Sequence, residues 1–116
     1  MLAILSPVQA ILKRPSMYVP NGSVEEILLY LDGYYMGYMH CKPEYQNIAK
    51  KSAVLLELEA LGNWMSDSLG LEKQAYHYAF SAMTEAIHNK FQSDDEFFNA
   101  ANQFLTAYEA KQKPSS

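Results

Sequence analysis

Two histidines draw attention first, because Ser81 and Thr84 lie between His77 and His88 at spacings that put all four on one helix face. A histidine next to a hydroxyl or a carboxylate is a pairing used in proton transfer. The two histidines are eleven residues apart, about 16 Å along a helix, and zinc holds its nitrogen ligands at about 2.1 Å. We therefore expect a polar, solvent-facing row. A small enzyme or ligand site that uses His77 or His88 with a carboxylate remains an alternative.

Other reactive side chains fall short of a catalytic site. His40 and Cys41 are adjacent in the sequence, and adjacent residues on a helix do not face each other. Glu85-x-x-His88 supplies only one of the two Glu-x-x-His steps that a di-iron site in a helical bundle needs. The chain has one cysteine, which excludes an internal disulfide and a cysteine-rich zinc site. We therefore expect no catalytic residue, no cofactor and no metal.

Charge and tyrosine content favour recognition of another protein. The chain has 13 acidic and nine basic residues and a net charge of −4, so the basic footprint of a nucleic-acid-binding protein is absent. Surface acids speed the approach of a basic partner, and tyrosine is enriched at interfaces. Solubility and helix capping by the acids, and core packing of the nine tyrosines, remain the other interpretations. The predicted partner-binding residues are Glu57, Glu59, Asp67, Glu72, Asp32 and Tyr35.

These side chains are positioned by helices, because the apolar pattern has helical periodicity nearly throughout. Ser6 and Pro7 begin a short helix over about 7–13, and the prolines at 15 and 20 end it. Capping boxes at 23–26 and 93–96 begin two longer helices. The predicted helices run over about 7–13, 23–40, 44–67 and 72–91, with a fifth from 93 to the C-terminal lysines.

The sequence therefore predicts an all-α fold, a compact bundle of four to five helices in one domain over 1–113, with a frayed tail at 114–116. The second helix is apolar over most of its circumference, which indicates a central, largely buried position. Gly33 and Gly37 lie four residues apart on it, which indicates close approach of another helix. Gly70 is expected to end the third helix.

No segment has the length of a membrane span. The longest apolar run, 27–31, is far shorter than the roughly 20 residues that a membrane helix requires. At the N-terminus the charged residues follow the apolar run, whereas in a secretory signal they precede it. We therefore expect a cytoplasmic protein that does not contact a membrane.

The N-terminal third resembles a known group. It contains a helix, an Arg-Pro-x-Met-Tyr turn and a second helix with Gly-Tyr, and these features are similar to small bacterial immunity proteins of toxin–immunity systems, including contact-dependent inhibition. The group often has glycine soon after Met-Tyr, whereas here a proline at 20 comes first. On physical grounds we expect the matched residues to be structural, with Met17 and Tyr18 folded back onto the Gly33 face. The matching residues are Arg14, Pro15, Met17, Tyr18, Ser23, Gly33 and Tyr34.

The resemblance implies an immunity protein that binds and neutralises a cognate toxin domain. If the toxin is a nuclease, we expect it to be basic, because a nuclease must bind phosphate groups. The alternative is a small helical adaptor or self-associating module, including a homodimer, without catalytic activity.

Overall fold

The computed structural model describes residues 6–40, 53–71 and 80–112. These residues form five α-helices and two short 3₁₀ helices, which confirms the predicted all-α bundle. The α-helices are α1 (Pro7–Lys13), α2 (Val24–His40), α3 (Ala53–Leu69), α4 (Thr84–Lys90) and α5 (Asp94–Gln112). The 3₁₀ helices are Pro15–Met17 and Phe80–Met83.

Local capping sets the starts of α1, α2 and α5 as the sequence predicts. The Ser6 hydroxyl accepts the Gln9 N–H at 3.1 Å. Ser23 and Glu26 form a reciprocal box, because the Glu26 N–H donates to the Ser23 hydroxyl at 3.2 Å and the Ser23 N–H donates to the Glu26 carboxylate at 3.3 Å. Ser93 accepts the Glu96 N–H at 3.1 Å. Each cap satisfies amides that have no partner within the helix.

One hydrophobic core is shared by all five α-helices and the Phe80–Met83 segment, with α1 packed on α5 and α2 packed on Phe80–Met83. One face of α2 supplies five core residues at helical spacing. Phe97 and Phe80 are among the largest fully buried side chains. The α2 core residues are Val24, Ile27, Leu28, Leu31 and Tyr35.

The opposite face of α2 is open, so the prediction of a largely buried helix is wrong for half of its circumference. Leu29 and Met36 on that face are 56% and 53% exposed. A Cβ atom added at Gly33 or Gly37 would have no heavy atom of the described residues within 4 Å. The expected close helix approach at these glycines is therefore not found in that part of the chain.

The fourth predicted helix, 72–91, is also corrected. Residues 72–79 lie outside the described residues, and Phe80–Met83 is a 3₁₀ helix that leads into α4. The Asp32 carboxylate accepts the N–H groups of Phe80 and Ser81 at 2.6 and 3.1 Å. The Asp32 side chain on α2 thus holds the first two amides of the Phe80–Met83 3₁₀ helix.

The third helix ends as predicted, while its predicted start near 44 lies outside the described residues. α3 passes through Gly62 and Asn63 without a break. Gly70 has a φ of +70°, and the Leu71 N–H bonds back to the Ser66 carbonyl at 2.9 Å. This is the left-handed glycine stop that closes many helices. The predicted tail, 114–116, likewise lies outside the described residues.

In the described part of the chain, no helix combines the length and the apolar character needed to cross a bilayer.

Candidate protein-binding surface

Five large apolar side chains are exposed on α2 and on the 3₁₀ helix and turn before it. Met17 is 69% exposed and Tyr18 is 40% exposed, and Tyr30 is 37% exposed. Leu29 and Met36 complete the set, seven residues apart and therefore on one side of α2. We call Met17, Tyr18, Leu29, Tyr30 and Met36 the tyrosine–methionine surface.

Ring contacts join the two parts of this surface. The Tyr18 and Tyr30 ring centroids are 5.9 Å apart, and those of Tyr30 and Tyr34 are 6.2 Å apart. Both distances lie in the range of favourable aromatic pairs. Tyr18 therefore packs on the side of α2 through Tyr30, with half-buried Tyr34 continuing the row of rings.

The turn before α2 holds Met17 and Tyr18 outward. Val19 is buried, and its N–H and that of Tyr18 both bond to the Pro15 carbonyl, at 3.1 and 2.9 Å. Gly22 has a φ of +63°, and a Cβ there would lie 3.1 Å from the Ser16 nitrogen. Only glycine accepts this conformation and close approach without strain. The buried Val19 anchors the turn, and Met17 and Tyr18 stay on the surface.

Acidic groups stand beside the apolar residues. Glu25 is exposed four residues before Leu29, on the same side of α2. For Glu26, desolvation acts to raise the pKa, but hydrogen bonds from Ser23 and Asn21 outweigh it and hold the pKa below its ordinary value. Glu26 is therefore anionic at neutral pH, and the N-terminal end of the surface carries negative charge.

The predicted acidic binding residues do not form one exposed patch. Glu57 is 1% exposed and Tyr35 is 2% exposed, so the expectation that Glu57 lies on the surface is corrected by its packing between helices. The Tyr35 hydroxyl donates to Glu59 at 3.4 Å. Asp67 is exposed on α3, ten residues after Glu57, a distance of about 15 Å along the helix.

Of the other two predicted contact residues, Asp32 has a structural role and Glu72 lies outside the described residues. Both carboxylate oxygens of Asp32 accept backbone amides of the Phe80–Met83 segment. Its charge is thus already engaged within the fold.

Glu57 belongs to an interior cluster that the sequence did not reveal. Burial raises the pKa of Glu57 to about 7, and the adjacent Glu109 carboxyl adds to this, while a hydrogen bond from Ser6 acts in the opposite direction. Burial also raises the pKa of Tyr108, with the charges of Glu57, Glu109 and Glu59 contributing. The Ser6 cap of α1 and side chains of α3 and α5 therefore meet around one buried carboxyl.

The residues that carry the resemblance lie near the tyrosine–methionine surface. Arg14 and Gly33 are exposed, and Pro15 is half-buried. Met17 and Tyr18 do not fold back to cover the Gly33 face as expected, because Met17 points to solvent and Tyr18 contacts Tyr30. Their exposure makes them available for binding.

Of the two histidines in the predicted row, the structure describes His88, which lies beside a carboxylate. His77 lies outside the described residues. His88 is exposed with its Nε2 atom 3.5 Å from Asp94, and the Thr84 hydroxyl bonds to the Ser81 carbonyl at 2.8 Å. Within residues 6–40, 53–71 and 80–112, no group of three or more His, Cys, Asp or Glu residues is placed to hold a metal ion.

Comparison with known proteins gives no relative: no protein-family model, curated protein or solved structure matches the chain.

Proposed function

We propose that this protein is a non-catalytic binding protein that holds another protein on its tyrosine–methionine surface. The observation that carries the proposal is the exposure of five large apolar side chains on α2 and the turn before it, two of which, Tyr18 and Tyr30, are in ring contact. A concentration of exposed apolar side chains marks interaction sites in monomeric proteins. Tyrosine and methionine are also enriched at the centres of interfaces.

The partner we propose is a basic toxin domain, with this protein as its immunity protein. The net charge of −4 and the carboxyl groups of Glu25 and Glu26 beside the apolar residues favour a positively charged partner. The resemblance of the Arg14–Tyr18 segment to immunity proteins supports the same class. Tyr18 and Tyr30 would be the anchors, since aromatic side chains carry much of the binding energy in such interfaces.

Binding is tested by calorimetry and gel filtration, with the product of the gene immediately upstream taken as the candidate toxin. We expect Leu29→Lys to weaken the complex at least about tenfold, because it places a charge in the apolar centre. Leu56→Lys is the matched control, since Leu56 on α3 is 44% exposed and does not belong to the tyrosine–methionine surface. Failure of the unmodified protein to bind at micromolar concentration contradicts the toxin partner.

Self-association through the same surface is the second candidate, because the exposed apolar residues of two copies would cover each other in a two-fold dimer. Sedimentation equilibrium separates the two. A mass that rises with concentration in the unmodified protein and in Leu56→Lys, but not in Leu29→Lys, favours the homodimer. A monomer at all concentrations contradicts it.

A further inference from the structure

Asn21 and Gly22 form the chain's one Asn-Gly pair, in the turn that leads into α2. Asn21 is exposed, and residues 21–23 lie outside the helices on either side. Asparagine is among the chemically least stable residues of proteins, and it reacts fastest before glycine, because no side chain shields the glycine nitrogen. This turn is therefore a place where the chain can modify itself.

The Gly22 nitrogen is the nucleophile in such a reaction, and the fold leaves it free. Within residues 6–40, 53–71 and 80–112, no group accepts the Gly22 N–H. The N–H groups of Asn21 and Ser23, on either side of it, both bond to the Glu26 Oε1 atom, at 3.0 and 3.3 Å. Loss of the Gly22 proton thus breaks no hydrogen bond of the described structure.

Glu26 also contacts the side chain that reacts. Its Oε2 atom accepts the Asn21 Nδ2 group at 3.4 Å, so one carboxylate holds both the main chain and the side chain of Asn21 at the turn. Both contacts are made by N–H groups, and neither engages the side-chain carbonyl. The carbon that the Gly22 nitrogen attacks, Cγ of Asn21, is therefore open.

We propose that Asn21 is a self-modification site and that its products alter the turn before α2. The Gly22 nitrogen gives its proton to a base in solvent and bonds to Cγ of Asn21. The Cγ–Nδ2 bond breaks, and Nδ2 takes a proton from water and leaves as ammonia, which closes a five-membered succinimide ring. Water then adds to one of the two ring carbonyls, that carbon separates from the Gly22 nitrogen, and the nitrogen regains a proton. One amide and one water give one carboxylate and one ammonium ion.

The two ways of opening the ring have different effects on the turn. Opening at Cγ gives aspartate, whereas opening at the main-chain carbonyl gives isoaspartate, in which the main chain gains one methylene before Gly22. Both products remove the Nδ2 donor and add a negative charge beside Glu26, so an attraction becomes a repulsion. Isoaspartate also displaces Gly22, whose Cβ position lies only 3.1 Å from the Ser16 nitrogen. The change thereby reaches the turn that presents part of the tyrosine–methionine surface.

Peptide mapping by mass spectrometry tests the reaction in the intact protein, after incubation for days at mildly alkaline pH. We expect the peptide that contains Asn21 to gain about 1 Da and to become a substrate of an isoaspartyl methyltransferase. Asn99 is the internal control, because it is exposed and precedes a small residue but lies inside α5. Helical hydrogen bonds fix the main chain there, so we expect conversion at least about tenfold lower at Asn99.

Asn21→Gln identifies the reacting residue. It keeps a side-chain amide, but its cyclisation requires a six-membered ring and is much slower, so we expect no mass gain at position 21. Absence of a mass gain at Asn21 in the folded wild-type protein, or equal conversion at Asn21 and Asn99, overturns the proposal. The measurement needs no partner, so its outcome is independent of the proposed binding function.

NMR of the isoaspartyl form, separated by ion exchange, tests the effect on the turn. We expect the ring signals of Tyr18 to shift and its contact with Tyr30, at 5.9 Å between centroids, to weaken. The ring of Tyr108 on α5 should be unaffected. Tyr18 signals identical to those of fresh protein would contradict the proposed change of the turn.

Discussion

The carboxylate of Asp32 accepts the backbone N–H of Phe80 at 2.6 Å, so a residue on α2 caps a helical segment that begins 48 residues later. The second oxygen of Asp32 accepts the Ser81 N–H at 3.1 Å. A capping acid usually lies within four residues of the amides it satisfies. Here the cap also joins two elements, so it fixes tertiary as well as local structure.

We expect Asp32→Ala to lower the free energy of unfolding by about 2 kcal/mol, because two amides lose a charged acceptor. Asp95→Ala is the matched control, since Asp95 is exposed in the first turn of α5. Urea denaturation of both variants measures the difference. Equal losses in the two variants would show that the Asp32 contact adds nothing to stability.

Two glycines should respond to alanine with opposite signs. Gly70→Ala is expected to destabilise the protein by about 1 kcal/mol, because a φ of +70° is unfavourable for a residue with a Cβ. Gly33→Ala is expected to stabilise it by about 0.5–1 kcal/mol, because Gly33 lies inside α2 with open space around it. Thermal unfolding of the pair provides the measurement. A destabilised Gly33→Ala protein would reveal a neighbour at that face.

The Asn102 side chain on α5 caps the C-terminal end of α1. Its amide donates to the Leu12 carbonyl at 3.1 Å and to the Phe98 carbonyl at 2.9 Å. We expect Asn102→Ala to cost about 1–2 kcal/mol, because a helix-end carbonyl loses its donor. Asn99→Ala, an exposed position one turn earlier on α5, should change stability by less than about 0.5 kcal/mol in the same denaturation experiment.

Stability should be greatest at mildly acidic pH. The folded protein keeps the Glu57 proton up to about pH 7, whereas the unfolded chain releases it near 4.5, so stability falls as the pH rises through this window. The contribution of Glu26 to stability changes with pH in the opposite direction, because its pKa is lowered in the folded protein. Its contribution is present above 4.5 and is lost as the pH falls through the folded pKa.

Midpoints of urea denaturation measured across this pH range check the decline in stability on both the alkaline and the acidic side. Glu57→Gln should flatten the decline on the alkaline side, and Glu26→Gln should flatten the decline on the acidic side. A midpoint that rises steadily from about pH 5 to about pH 8 would contradict the assignment of Glu57.

What the sequence could reveal depended on the separation of the interacting residues. Ser6, Ser23 and Ser93 each satisfy an amide three residues away, so their pattern predicted the starts of three helices correctly. The Ser6–Glu57 bond spans 51 residues, and only packing selects such partners. Glu57 therefore looked like any surface acid of an amphipathic helix.

The tyrosine–methionine surface was only partly visible in the sequence for a related reason. α2 carries apolar residues on both sides, and helical periodicity cannot say which side faces the core. The available signal was the helical spacing of Glu25, Leu29, Asp32 and Met36, which predicts a second stripe opposite the buried face. Tyr18 joins it only through its ring contact with Tyr30, which the local sequence does not show.

Trp64 is the chain's one tryptophan, and its ring stacks on Phe104 at 5.4 Å and 16°. Phe97, the other α5 ring beside it, lies 6.2 Å away. The intrinsic fluorescence of Trp64 therefore reports on the contact between α3 and α5 without an added label. When Trp64 is excited at a wavelength that the nine tyrosines do not absorb, its emission should shift to longer wavelength if α5 moves away and water reaches the indole.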